Sequence, residues 1–207
     1  MKYAIYYNYK TIGDDLIIVF DSNAHPDKIR QNGDVVALYK DDKLVGINIL
    51  KFSDIIKLKV DGFIPVINEK VLNVINNTLI NAGFEALEKQ NESGFRVANI
   101  VECEEHPESE HLHVLKVDVG NNELLDIVCG AYNARVGLKC VCALPYTFMP
   151  NGQQIIPSKL LGIQSNGMLC SGRELALPGY EGKHGLLELD ENFIIGSDFF
   201  KEVHWYF

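Results

Sequence analysis

The side chains of this 207-residue chain that could do chemistry gather in three stretches of its second half. In residues 101–120 (VECEEHPESEHLHVLKVDVG), Cys103, His106, His111 and His113 stand among Glu102, Glu104, Glu105, Glu108 and Glu110. Histidines beside a thiol suggest a metal site, but Cys-x2-His-x4-His-x-His matches no common structural zinc spacing. The competing reading is a solvated acidic loop. Pro107 has no backbone N–H and biases His106 toward an extended conformation, so the pair should end a strand. In residues 126–137 (DIVCGAYNARVG), Gly130-Ala131 allows close backbone approach, and Asn133 can bond either its own turn or a ligand. The third stretch is residues 158–175 (SKLLGIQSNGMLCSGREL). From position 140 to 172, Lys159 is the sole charged side chain, and Ser158, Gln164, Ser165, Asn166 and Ser171 surround it with neutral polar groups. Such a surface can approach a sugar-phosphate backbone and hydrogen-bond it through hydroxyls and amides. Asn166-Gly167 signals a turn, so Met168 and Ser171 follow a bend, with Met168 either presented there or plugging a core.

Nothing resembles a nucleophile–base pair, a P-loop or a Gly-rich dinucleotide turn. Ser165 and Ser171 have no His within a few residues. His184, beside Gly185, reads as a surface turn residue, and His25-Pro26-Asp27 as a turn. The five cysteines are odd in number and irregularly spaced, which predicts buried thiols in a reducing compartment. Cys140 and Cys142 should share one face of a strand, and no second such pair exists to complete a tetrahedral metal site.

The elements that must hold these residues read differently in the two halves. In the first, residues 3–9 and 16–20 have strand composition, and 34–39 with 43–50 suggest a hairpin. Asn68 should cap a helix carrying Leu72, Ile75 and Leu79, with Val71 and Ile80 widening the stripe and Gly83 ending it. Residues 90–94 (QNESG) have linker chemistry. Beyond them come short strands at 95–103, 114–119, 124–128, 139–144 and 186–189. Gly120-Asn121-Asn122 turns the second into the third. Five short strands with long connections suit a small closed β-barrel.

Hydrophobic residues at 47% supply a core, and a formal charge of −9 works against a generic electrostatic binder of nucleic acid or membrane. Residues 1–93 carry 11 basic and 13 acidic groups; residues 94–207 carry 8 and 15. No spanning helix or secretory signal is expected.

Taken in order and at these spacings, the HPxxxxL, CGAxN and SxGMxCSxxEL stretches resemble the tRNA-binding OB-fold domain. That domain occurs in the bacterial phenylalanyl-tRNA synthetase β subunit, many methionyl-tRNA synthetases and small free-standing tRNA-binding proteins. The layout of a short α+β module before it is similar to the YtpR family. The resemblance covers residues 94–200; the first 90 match only in general plan. It implies that Asn133, Lys159, Ser165, Met168 and Ser171 occupy signature positions, with Arg135 on the same RNA face, and that the His-Pro corner is structural. Leu161 departs from the pattern, standing where many relatives have Arg. The expected fold class is an α+β N-terminal module (residues 1–90) plus an all-β OB-fold barrel (residues 94–207). The expected function is non-catalytic, cytoplasmic tRNA binding by shape and backbone, without cofactor, metal or membrane. The alternative is a protein–protein module that docks on an aminoacyl-tRNA synthetase or on its own copy, with the aromatic tail 204–207 as a candidate edge.

Overall fold

β-branched and aromatic residues near the N-terminus pair as β1 (Ala4–Tyr7) and β2 (Asp15–Val19), antiparallel with Ile5 opposite Ile18. In the computed structural model, which describes residues 2–60 and 62–203, the chain divides between Asn91 and Glu92 into two units. The aromatic tail lies outside the described residues.

The first unit adds β3 (Lys28–Asn32), β4 (Val35–Lys40), β5 (Lys43–Leu50) and β6 (Gly62–Ile64). They form one antiparallel sheet in the order β3-β4-β5-β2-β1-β6. Asp41 and Asp42, with φ of 48° and 59°, make the two-residue turn of the predicted β4–β5 hairpin. β1 stops two residues short of the expected end. The Asn8 carbonyl accepts the Ile12 N–H at 2.9 Å and its side chain accepts the Thr11 N–H at 3.0 Å, which bends the chain away. The two edge strands have no sequence signal, since β3 is exposed throughout and β6 spans three residues.

Helix α1 (Glu69–Asn81) packs its apolar stripe into the core formed with this sheet. The Asn68 side chain accepts the Val71 N–H at 2.9 Å, the expected cap. Val71, Leu72, Ile75 and Leu79 are buried, but Ile80 is 57% exposed and does not widen the stripe. At about 100° per residue it falls roughly 80° beyond Leu72, outside the buried arc. Gly83, at φ +78°, ends the helix: its N–H reaches Ile80 and the Phe84 N–H reaches Leu79, both at 2.9 Å.

The second unit is built on β7 (Phe95–His106), β8 (Ser109–Asp118), β9 (Leu124–Cys129), β10 (Lys139–Ala143) and, after a separate hairpin of β11 (Ser158–Leu160) and β12 (Ile163–Ser165), β13 (Met168–Cys170). Its antiparallel sheet has the order β13-β10-β7-β8-β9. Leu115, Val117 and Val119 face the core as the alternation predicts, and Asn121 and Asn122, at φ 55° and 59°, turn β8 toward β9.

Two expectations need correction. The acidic stretch is not a loop: Glu102, Glu104 and Glu105 lie on β7 and Glu110 on β8, with Glu105 opposite His113. Its charge density hides a strand period in which Cys103 turns inward between exposed Glu102 and Glu104. Residues 186–189 are not a strand. Leu187 donates to the Cys170 carbonyl and Leu189 to the Lys139 carbonyl, both at 2.9 Å, so the segment bridges two strands instead of laddering with one. Consecutive Leu186 and Leu187 are both buried, which breaks the strand alternation, and β13 supplies the fifth strand. The QNESG seam is tied down on each side within its own unit. Gln90 donates to the Tyr3 carbonyl at 2.7 Å, while the Ser93 N–H and hydroxyl donate to Asp198 at 2.6 and 2.9 Å. Asp198 also caps α2 (Phe199–Glu202), whose Phe200 packs edge-on against Phe95 at 5.1 Å.

Candidate nucleic-acid interface

The neutral stretch around Lys159 folds as the β11–β12 hairpin, with Leu161 and Gly162 both at positive φ (44° and 81°) in its two-residue turn. Register places exposed Lys159 opposite Gln164 and Ser158 opposite Ser165. Lys159 has no ion pair among the described residues.

The hairpin is held at both ends, β12 at its root and β11 beside the turn. The Ser165 hydroxyl accepts the Val128 N–H of β9 at 3.2 Å, and the Asn166 N–H donates to Asp126 at 2.8 Å. On the other strand, the His106 Nε2–H lies 3.4 Å from the Leu160 carbonyl. The His106 Nδ1 accepts the Glu108 N–H at 3.1 Å, which leaves the ring proton on Nε2. His106 is only 4% exposed. The His-Pro corner thus joins the first motif stretch to the third, a link that spacing alone does not reveal. Among the described residues no group of three His, Cys, Asp or Glu side chains is placed to hold a metal.

The other expected site residues are placed as follows. Met168, on β13 opposite Ala143, is half-buried and lines a cleft of about 280 Å³ with Gly130, Ser171, Arg173 and His184. Ser171 lies in that wall but is buried, and its hydroxyl donates to Glu174 at 2.6 Å while its N–H donates at 2.7 Å. The Glu174 N–H returns to the Ser171 hydroxyl at 3.2 Å, the reciprocal pattern of a capping box closing a turn.

Asn133 bonds away from open solvent: its carbonyl oxygen accepts the Leu186 N–H at 2.8 Å and its amide donates to the Leu186 carbonyl at 3.1 Å. Arg135 forms a forked pair with Glu188 at 2.7 and 3.0 Å. That guanidinium, helped by the Asn133 amide, pulls the Glu188 carboxyl down to about 2. Thus Ser165, Met168 and Ser171 run along one segment, while Asn133 and Arg135 clamp residues 186–188 beside it.

Sequence reasoning passed over Arg173, which is exposed and unpaired among the described residues, and Tyr132, 79% exposed within the CGAxN stretch. An exposed aromatic between Gly130 and Asn133 was the available signal. Three cysteines are core packing: Cys140, Cys142 and Cys170 are fully buried, and burial pushes the Cys140 thiol up to about 12, while Cys103 and Cys129 are only partly buried. Not one face but both faces of β10 are covered, since Val141 and Ala143 are as deeply buried as the two cysteines.

The second unit is thus an antiparallel β domain that presents a nearly neutral hairpin whose one cation has no ion pair among the described residues. Comparison makes this specific. Residues 95–198 match the family described as "Putative tRNA binding domain", and residues 22–88 match "Domain of unknown function (DUF4479)". The chain belongs to the tRNA binding domain family, carrying that domain in its second half. It is 47% identical over 107 residues to the phenylalanine–tRNA ligase beta subunit of Vibrio parahaemolyticus, covering 52% of this chain and 13% of that protein. The same subunit of Aromatoleum aromaticum is 51% identical over 106 residues, 51% of this chain and 13% of the relative. The chain therefore spans only about an eighth of the length of these curated relatives. A solved MetRS-related protein from Pyrococcus horikoshii aligns with 23% identity and a TM-score of 0.36, over 50% of this chain and 85% of that one. No helix among the described residues is long and apolar enough to cross a membrane.

Proposed function

We propose that the second unit is an OB-fold barrel that binds tRNA without catalysis, in the cytoplasm, through the face that carries the β11–β12 hairpin. The bonds from Val128 to Ser165 and from Asn166 to Asp126 support barrel closure, because they draw the segment between β12 and β13 onto the far edge strand β9. The observation that carries the functional reading is Lys159: an ammonium without an ion pair among the described residues, on a hairpin held at its root and beside its turn, within a chain segment (140–172) that has no other charged side chain. Carboxylates elsewhere on the domain repel phosphate, so RNA can approach most closely where they are absent.

In this reading Lys159 meets a phosphate, with Ser158 and Gln164 beside it. Met168 and Tyr132 offer apolar surface to an exposed base. Asn133, Arg135 and Ser171 act mainly as positioning residues, since their polar atoms already hold residues 186–188 and the turn after β13. Recognition is by shape and backbone.

Gel-shift titration with total tRNA at low salt tests this. Lys159→Ala should weaken binding by about 1–2 kcal/mol and lower the logarithmic salt slope by about one unit. Lys159→Glu should weaken it further with an unchanged melting temperature. Equal affinity for wild type and Lys159→Glu would move the RNA face elsewhere and favour docking on a synthetase or a second copy.

A further inference from the structure

The first unit holds a cleft of about 570 Å³ lined by lysines and tyrosines. It opens where β1 runs into the Asn8 turn and faces the chain that follows the short 3-10 helix Phe52–Asp54. Tyr7, Tyr9, Lys10, Ser53, Lys57 and Lys59 line it, together with the apolar Leu58 and Val60. Residues 56–60 alternate: Ile56, Leu58 and Val60 pack against the core, while Lys57 and Lys59 are exposed on the opposite side. Extended alternation therefore presents two ammonium groups to one face. Lys10 adds a third to the lining, next to Tyr9, a residue 60% exposed.

Several other cations of the same unit are engaged, although Lys43 and Lys70 also lack an ion pair among the described residues. Lys28, Lys40, Lys51 and Lys89 pair with Asp42, Asp27, Asp34 and Glu69, and Arg30 stacks on Phe84. Lys10, Lys57 and Lys59 have no ion pair among the described residues. The carboxylate behind the cleft, Asp14, is occupied: it accepts the Tyr7 hydroxyl at 2.8 Å, the Ser53 N–H at 2.8 Å and the Ser53 hydroxyl at 2.7 Å. Burial opposes its ionisation, yet those donors keep it below the ordinary carboxylate range. Asp54 is the exposed acid next to the wall.

A chain with a net charge of −9 that leaves three cations without an ion pair among the described residues, beside one exposed ring, presents the pairing that unstacked nucleotides require: phosphate to ammonium and base to aromatic face. We propose that this cleft is a second RNA-contact site, which binds the phosphates and one splayed base of a single-stranded segment, with Lys57, Lys59 and Lys10 on the phosphates and Tyr9 under the base. The proposal deepens the reading of this chain as an RNA binder and rests on it. An acidic peptide would satisfy the lysines but leave the ring without a purpose.

The test uses the full chain and a hexauridylate carrying 4-thiouridine, at low salt, with photo-crosslinks mapped by tryptic mass spectrometry and affinity read by anisotropy. Crosslinks are expected on Tyr9, within the tryptic peptide of residues 3–10, and should persist in Lys159→Glu. Lys57→Glu/Lys59→Glu should remove them and weaken hexauridylate binding on the order of tenfold, with the salt slope reduced by about two units. Tyr9→Ala should weaken binding several-fold, whereas Tyr9→Phe should keep it, because stacking needs only the ring. Crosslinks confined to residues 92–203, indifference to the double charge reversal, or equal competition by hexaglutamate would each overturn the proposal. Loss of tRNA binding in Lys159→Glu with the Tyr9 crosslinks intact would support both readings. Absence of hexauridylate binding, with tRNA binding still sensitive to Lys159→Glu, would overturn this site alone.

Discussion

Lys159 and Arg135 carry the same charge and both were expected on the RNA face, but their surroundings give them different work. Lys159 has no ion pair among the described residues and stands on a neutral hairpin, while Arg135 is matched by Glu188 through a forked pair. A neutralised cation attracts phosphate weakly, so Arg135→Ala should weaken tRNA binding less than Lys159→Ala in the same titration. The pair has its own pH signature. Glu188 is held at about 2, below its ordinary 4.5, so what the pair contributes to stability is complete above the ordinary value and fades as pH falls toward 2. Carboxyl NMR should show Glu188 titrating near 2 in the wild type and back in the ordinary range in Arg135→Ala. An unchanged titration would mean that the fork does not persist in solution.

At the scale of the element, the β11–β12 hairpin is three residues per strand and could not stand alone in water. Its order comes from outside: His106 holds one strand and Ser165 with Asn166 the other. His106→Ala would remove the partner of the Glu108 N–H and of the Leu160 carbonyl, at a cost on the order of 1 kcal/mol per bond. Amide exchange across the hairpin should quicken in that variant, while His106→Gln, whose amide can still donate toward Leu160, should retain part of the protection. Equal exchange in His106→Ala and wild type would show that β9 alone orders the hairpin. Loosening should also reduce tRNA affinity without touching any RNA contact, because Lys159 would lose its fixed position.

For the molecule as a whole, each unit has its own sheet and its own core, and the chain between them is bonded locally on either side. We expect the units to fold independently: a fragment of residues 92–207, which keeps the Ser93–Asp198 bonds, should melt cooperatively by itself. A molten or insoluble fragment would mean that the units need one another. Global charge sets a second expectation at this scale. With 8 basic residues beyond position 93, the fragment can make few phosphate contacts, and its tRNA binding should follow a logarithmic salt slope of only about −2. The full chain should show a steeper slope if the first unit's cleft contributes.

Much of the architecture was legible in order along the chain because local rules decide it. Asn68 and Gly83 bracket α1 by capping chemistry, the Asp41-Asp42 and Asn121-Asn122 turns sit where strands must reverse, and the alternation through Leu115, Val117 and Val119 marks a half-buried strand. The three motif stretches were likewise visible as residue types at fixed spacing. What the sequence left open was which polar atoms would remain available. Asn133, Arg135 and Ser171 have the chemistry of contact residues, yet each is engaged by a partner, and those of Asn133 and Arg135 lie more than fifty positions away. The exposed edge strand β3, the short β13 and the bridging path of residues 186–189 depend in the same way on neighbours that no local window contains. Lys10, Lys57 and Lys59 are ordinary surface lysines in the sequence. Only the fold, by closing the end of β1 against the chain after Phe52–Asp54, brings them to one cleft, because side-chain availability is set by long-range packing and propensity is not.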